Sequence, residues 1–313
     1  MTVLELSLCL LLFIAVGFVA RKSKVMPDGF DKMLSRFVLA VPLPCMIVSS
    51  FNLEYSPELL LSAPLIAALC VGIMVIMFLV VFLATRWIRD GAMRKTVRFC
   101  LLFTNYTFVG FPVVRQLYGA EGFFHYVMFT LPIRLFFYGG GSIMLGNGGE
   151  KIDAKETIKR FLCPPVIAVF VGIALYALQI GLPPVIESTL ESIGSMASPL
   201  GLMLCGAIIA DADLKSALRH PSVLAVTLCR LLVIPAAALG LFWLFRVDTD
   251  VLRTSIYYFA RPVASLTPTF LLRYDPEAVE ARTAAGYMVV ASTLFCVLTI
   301  PLWTMVLSRL FPN

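Results

Sequence analysis

Long apolar runs alternate with short polar breaks from one end of the chain to the other. A helix that crosses a bilayer needs about 20 mostly apolar residues. The breaks predict ten such spans, near residues 3–20, 30–52, 58–85, 96–118, 120–144, 161–180, 184–210, 220–246, 250–272 and 279–307. The first run has no basic residue before it and is followed by Arg21, Lys22 and Lys24, the reverse of a secretory signal's charge order, so it is expected to stay as a span.

Composition agrees with this pattern. The 313 residues are 60% hydrophobic and 14% charged, where soluble domains carry about 25% charged residues. A water-soluble fold of this size cannot hide that much apolar surface, so lipid must cover the remainder. Dinucleotide-binding folds, barrels of alternating strand and helix, and DNA-binding modules are excluded. No polar stretch is long enough to form a separate extramembrane domain.

The net charge of +6 is distributed as a topological signal. Eighteen of the 25 basic residues flank the breaks after spans 1, 3, 5, 7 and 9, including Lys151, Lys155, Lys159 and Arg160 in the central linker. Four (Arg115, Arg246, Arg253 and Arg309) lie on the opposite side, and Arg134, Arg230 and Arg261 fall within spans. The positive-inside rule then predicts a multi-pass protein of the cell (inner or plasma) membrane with both termini outside the cytoplasm. Nucleic acid is not an expected partner. All eight cysteines lie in apolar segments, without a C-x-x-C pair or neighbouring histidines, and read as small buried hydrophobes. No metal and no cofactor is expected.

A repeat is visible at a constant offset of 156, close to half the length: Asn105, Pro112, Tyr118 and Glu121 are answered by Arg261, Pro268, Tyr274 and Glu277. Pro42 and Pro44 are answered more loosely by Pro199. With an odd number of spans per half, the second half enters the membrane upside down. The fold class is therefore an all-α integral membrane protein of ten transmembrane helices in two inverted five-helix repeats, residues 1–150 and 151–313. Span 4 carries Asn105-Tyr106-Thr107-Phe108-Val109-Gly110-Phe111-Pro112, and span 9 carries Arg261-Pro262-Val263-Ala264-Ser265-Leu266-Thr267-Pro268. Proline removes a donor and clashes with the preceding turn, so both spans are expected to break mid-membrane. Freed backbone groups are tolerated there only where protein or a cavity satisfies them, and paired breaks in inverted halves mark a binding site. Asn105, Tyr106, Thr107, Ser265 and Thr267 can supply the few placed hydrogen bonds of such a pocket, or satisfy the broken backbone, or do both.

The string Asn105 to Pro112 followed by Leu117-Tyr118-Gly119 resembles the fourth helix of the auxin efflux carrier family, which includes plant PIN-like exporters and bacterial malonate-permease-like transporters. Phe37 to Pro42, the Pro262 to Pro268 spacing before Tyr274, and Ser292-Thr293 through Pro301 are similar to the same family at matching places. The resemblance implies broken helices 4 and 9 that cross near the membrane centre. It also implies a scaffold of helices 1, 2, 6 and 7, a transport bundle of helices 3–5 and 8–10, and a homodimer. It carries Asn105, Gly110, Pro112, Pro262 and Pro268 over as site positions. Arg261 departs from the family's usual apolar residue, so no member's substrate preference transfers.

No acidic residue falls near the middle of a span, whereas a central arginine costs at least about 2.5–3.5 kcal/mol. For Arg134 and Arg230, donation to exposed carbonyls or snorkelling competes with a functional role. Arg261 sits in the break itself, beside half-helix amide ends that attract negative charge, and is expected to contact an anion. The two histidines, His125 and His220, are expected in loop or capping roles. An enzyme is not expected: there is no H-E-x-x-H motif and no central carboxylate pair. The expected function is secondary transport of a small organic anion, such as a malonate-like or auxin-like acid, by alternating access in elevator fashion. Export would be driven by the anion gradient and membrane potential. Proton- or sodium-coupled carboxylate transport, or a non-transporting sensor with the same fold, are the alternatives.

Overall fold

The computed structural model describes residues 3–145, 162–211 and 213–311. The expected junction of the two halves at residues 150 and 151, with its four basic residues, lies outside the described residues. All regular structure among the described residues is helical, apart from one antiparallel bridge between Thr104 and Val263. In chain order the helices are α1 (Val3–Lys22), α2 (Phe30–Ala40), α3 (Pro42–Ser50), α4 (Pro57–Ala84), α5 (Gly91–Leu102), the π-helical turn π1 (Tyr106–Gly110), and α6 (Phe111–Leu145). Then follow α7 (Pro164–Ala177), α8 (Pro184–Ser195), α9 (Ala197–Asp211), α10 (Leu214–Arg219), α11 (Pro221–Leu228), π2 (Cys229–Val233), α12 (Ile234–Leu244), α13 (Thr249–Phe259), α14 (Thr267–Tyr274) and α15 (Val279–Leu310). Among the described residues, five segments are long and apolar enough to cross a bilayer: Phe30–Ser50, Pro57–Ala84, Pro184–Asp211, Pro221–Leu244 and Val279–Leu310.

Several helices expected to be continuous are interrupted, and proline explains each interruption. The second span divides at Val41, immediately before Pro42. The seventh divides at Met196, where Pro199 cannot donate to the carbonyl four residues back. In the eighth, Pro235 frees the Leu231 carbonyl; the chain widens into π2 just before it, and the Trp303 indole donates to that carbonyl at 2.8 Å. The turn between spans 4 and 5 shrinks to a kink at Gly119, whose φ of 65° and ψ of −155° are open only to glycine at low cost.

Helix ends near the aqueous faces are capped by polar side chains. Ser56 caps α4, Asp90 caps α5 and Asp248 caps α13 by accepting from first-turn amides. At α10, hydrogen bonds from the Ser216 hydroxyl and amide hold the Asp213 carboxyl below its ordinary range. Arg21, at the end of α1, donates to Asp211 at 2.7 Å, to Asp28 at 2.7 Å and to the Met26 carbonyl at 2.8 Å, which ties three segments together at one face.

The helices pack as one connected body, with α9 also touching π1, α6 and α15. α1 runs along α9, and α3 packs on α7 and α8; α6 is flanked by α4 and α13, while α15 packs on α5, α10, α11 and α14. The α1 to α9 seam depends on small residues, as helix pairs in lipid do. A Cβ on Gly17 would lie 2.0 Å from the Met203 carbonyl oxygen, and one on Gly206 would lie 2.0 Å from that of Ile14. Outward from these seams, Leu8, Leu12, Val16 and Val19 of α1 and Leu61, Leu65, Leu79 and Leu83 of α4 are exposed, a surface suited to lipid.

Because the atoms facing Gly206 are backbone, α1 cannot yield locally. Gly206→Ala should destabilise the chain by about 1–3 kcal/mol, read as a lowered thermal midpoint in detergent. Gly72→Ala, with open space around it, should leave the midpoint unchanged.

Candidate functional site

The two expected breaks meet. α5 ends at Leu102 and π1 begins at Tyr106; α13 ends at Phe259 and α14 begins at Thr267. Between them the extended residues 103–105 and 262–264 pair antiparallel, with the Asn105 amide donating to the Pro262 carbonyl at 2.9 Å and the Ala264 amide to the Phe103 carbonyl at 3.2 Å. Pro262 has no amide to lose and contributes only its acceptor. Each broken helix thus satisfies part of the other's backbone, which removes a cost of several kcal/mol per group in hydrocarbon.

Side chains complete this crossing. Asn105 Oδ1 accepts from the Phe108 amide at 3.3 Å and so caps π1. Ser292 Oγ of α15 accepts from the Val263 amide at 3.0 Å, and Thr267 Oγ1 donates to the Ala264 carbonyl at 2.7 Å. The Tyr258 hydroxyl donates to the Leu102 carbonyl at 2.9 Å. Arg230 reaches in from π2 and donates to three carbonyls: Leu101 at 2.8 Å, Tyr258 at 3.2 Å and Arg261 at 3.3 Å. It places one positive charge at the C-terminal ends of both broken helices, where the dipoles favour a cation. Of its two sequence readings, donation to exposed carbonyls is the one the geometry supports.

Arg134 Nε donates to the Tyr106 hydroxyl at 2.9 Å and so steadies a wall residue. Gly110 lies against the Tyr126 hydroxyl, 2.2 Å from where a Cβ would stand. Pro112 is in the first turn of α6 and Pro268 in the first turn of α14.

Arg261 is different. It is fully buried, its Nε, Nη1 and Nη2 have no hydrogen-bond partner, and its guanidinium sits 4.8 Å from the centre of the Tyr257 ring. A desolvated cation–π contact contributes about 2 kcal/mol, less than the effective penalty of several kcal/mol for burying an ion. The Tyr126 hydroxyl lies beside the Arg261 guanidinium as a neutral neighbour, short of good hydrogen-bond geometry, and Thr104 Oγ1 is also buried without a partner. The buried acid among the described residues, Asp275, caps the far end of α14 and not the crossing.

A crevice opens on one side of the crossing, lined by Thr104, Asn105, Tyr106, Thr107, Ser265 and Leu266 among others. Its water-accessible space is about 40 Å³, enough for a few waters and too little for an organic acid. Asn105, Tyr106, Thr107 and Ser265 therefore share a wall, while Gly110, Arg261, Pro262, Thr267 and Pro268 lie outside the crevice lining. A second cavity of about 430 Å³ lies between α1, α3, α8, α9 and the start of α6, with Arg115, Gln116, Ser49, Ser198 and Pro199 on its walls. Pro42 lines neither. Beside π1, Gly201 of α9 closes on the Phe108 carbonyl, with a Cβ position only 3.0 Å from its oxygen. Sequence reasoning missed Tyr258, Tyr126 and Arg115 as parts of the site; Ser292 was visible only as a polar residue within the last span.

The family model for membrane transport proteins matches the chain over residues 2–159 and 151–304. The chain belongs to the membrane transport protein family. This is the family that the sequence resemblance pointed to. A protein of Methanothermobacter thermautotrophicus named only as an uncharacterized transporter is 24% identical over 312 residues, covering 97% of this chain and 98% of its own length. Both likenesses are to transporters and not to enzymes, and several apolar helices make this family member a multi-pass membrane protein.

The two buried arginines should behave oppositely when neutralised. Arg230→Met strips three carbonyls of their donor in a dry core and should cost about 3 kcal/mol or more, seen as a large drop in the thermal midpoint. Arg261→Met removes a charge that the fold does not satisfy and should leave the midpoint unchanged or raised. Equal destabilisation by both would show that Arg261 is held by the fold.

Proposed function

We propose that this chain is a secondary transporter of a small organic anion, with alternating access around the crossed breaks of the fourth and ninth spans. One observation carries the reading: a sealed guanidinium, Arg261, at the crossing with no carboxylate or carbonyl to neutralise it. A carboxylate arriving there would supply the missing charge and acceptors. The half-helix amide ends of π1 and α14 lie at the same crossing and favour the same sign. A crevice of only about 40 Å³ at the crossing fits a conformation in which the crossing is closed, so binding requires relative movement of the helices around it.

In this proposal the ten spans form two inverted halves. The set built on α1, α2, α3, α7, α8 and α9 is the scaffold, through which two copies pair, and the remaining helices form the moving bundle. Both termini lie outside the cytoplasm, on the strength of the 18 to 4 split of basic residues. The energy source proposed is the anion's own electrochemical gradient, so that an inside-negative potential drives export. Two features support this over proton or sodium coupling. No described acid sits at the crossing, and the Leu101, Leu102 and Tyr258 carbonyls that would cage a sodium ion are taken by Arg230 and the Tyr258 hydroxyl.

The test is saturable counterflow in proteoliposomes, after a thermal-shift screen of malonate, longer dicarboxylates and aromatic acids. For the acid that binds best, Arg261→Met should weaken affinity roughly tenfold to a hundredfold, the loss of about 1.5–3 kcal/mol expected for a charge-assisted hydrogen bond. A folded Arg261→Met variant with unchanged affinity would overturn the assignment. With gradients imposed singly, voltage alone should drive accumulation; accumulation on a proton or sodium gradient at zero voltage would refute the uncoupled reading.

A further inference from the structure

The cavity of about 430 Å³ between α1, α3, α8, α9 and the start of α6 differs from the crevice at the crossing in two ways: it is large enough for a small organic molecule, and its walls carry both signs of charge. Arg115 lines it from α6 and Glu191 from α8. Arg115 is half-buried, and the Glu191 carboxylate is near enough to act on its charge. Even so, among the described residues neither side chain makes an ion pair or a hydrogen bond. Gln116 and Ser198 line the same space. Ser198 is only 7% exposed, and neither its hydroxyl nor the Gln116 amide has a hydrogen-bond partner among the described residues. The other two hydroxyls of the lining are engaged, Ser49 with the Met46 carbonyl at 3.1 Å and Ser195 with the Ser192 carbonyl at 2.7 Å.

We propose that this cavity binds a small zwitterion, an amino acid whose carboxylate meets Arg115 and whose ammonium meets Glu191. Facing charges of opposite sign neutralise each other when they touch; held apart across a cavity, each lacks a counter-ion. One molecule that bears both signs supplies both. A plain carboxylic acid would satisfy Arg115 and be repelled by Glu191, and a plain amine would meet the reverse. A carboxylate accepts several hydrogen bonds, so the Ser198 hydroxyl and the Gln116 amide can complete its shell beside the guanidinium. Phe13 and Met46 offer apolar contact to the carbons between the two charges. None of these residues belongs to the crossing, so the inference goes beyond the anion reading and does not depend on it.

The experiment is isothermal titration of the full chain in phosphatidylglycerol nanodiscs, which carry no ammonium headgroup, with glycine, β-alanine and 4-aminobutyrate, against butylamine at matched ionic strength and neutral pH. At least one of the three amino acids should bind saturably and about tenfold or more tighter than butylamine. For that amino acid, Arg115→Met and Glu191→Gln should each weaken binding about tenfold or more, the loss of one charge-assisted contact. The proposal is overturned if none of the three outbinds butylamine, or if either variant, folded, binds the amino acid like the parent. Retained binding in Glu191→Gln would show that only the carboxylate is read. Should Arg115→Met fail to fold, Glu191→Gln decides, since Glu191 is exposed and unpartnered.

Discussion

Everything at the centre of this molecule follows from one constraint: backbone that leaves the helix inside a bilayer must find its hydrogen bonds in the protein. Pro112, Pro262 and Pro268 break two spans, and the freed groups are matched across the crossing. Asn105 and Ala264 amides pair with carbonyls of the opposite break, and Asn105, Ser292 and Thr267 side chains serve the turns. Arg230 and the Tyr258 hydroxyl take the last carbonyls of α5 and α13. A cation is suited to that place because two helix C-termini converge there. The crossing is therefore a bonded unit.

Against that nearly complete satisfaction, Arg261 stands out. Two arginines are equally buried within about one side chain's reach of the same backbone, and the fold neutralises only one of them. Arg230 explains why the breaks are stable. Arg261 joins that network through its backbone carbonyl and not through its guanidinium. An unpaired buried charge is costly to keep, and a binding partner that is present only part of the time is a physical reason to keep it.

Much of this was legible in the sequence. The proline pairs and the offset of 156 located both breaks, and the polar residues around them placed Asn105, Tyr106, Thr107 and Ser265 on one wall. Local rules gave less at Val41 and Met196, where proline divided spans whose apolar pattern ran on unbroken. Donation to exposed carbonyls was one of the readings the sequence left for Arg230, but which carbonyls was not legible, because its three acceptors come from residues 101, 258 and 261, brought to it only by tertiary packing.

The most direct test of the central claim is where a bound anion sits. A cryo-electron microscopy map of the chain in nanodiscs, saturated with the tightest-binding acid, should show the carboxylate within about 3 Å of the Arg261 guanidinium, with the crevice at Thr104 to Thr107 widened to admit it. A carboxylate seated instead against Arg115 in the second cavity, with Arg261 still bare, would contradict the claim.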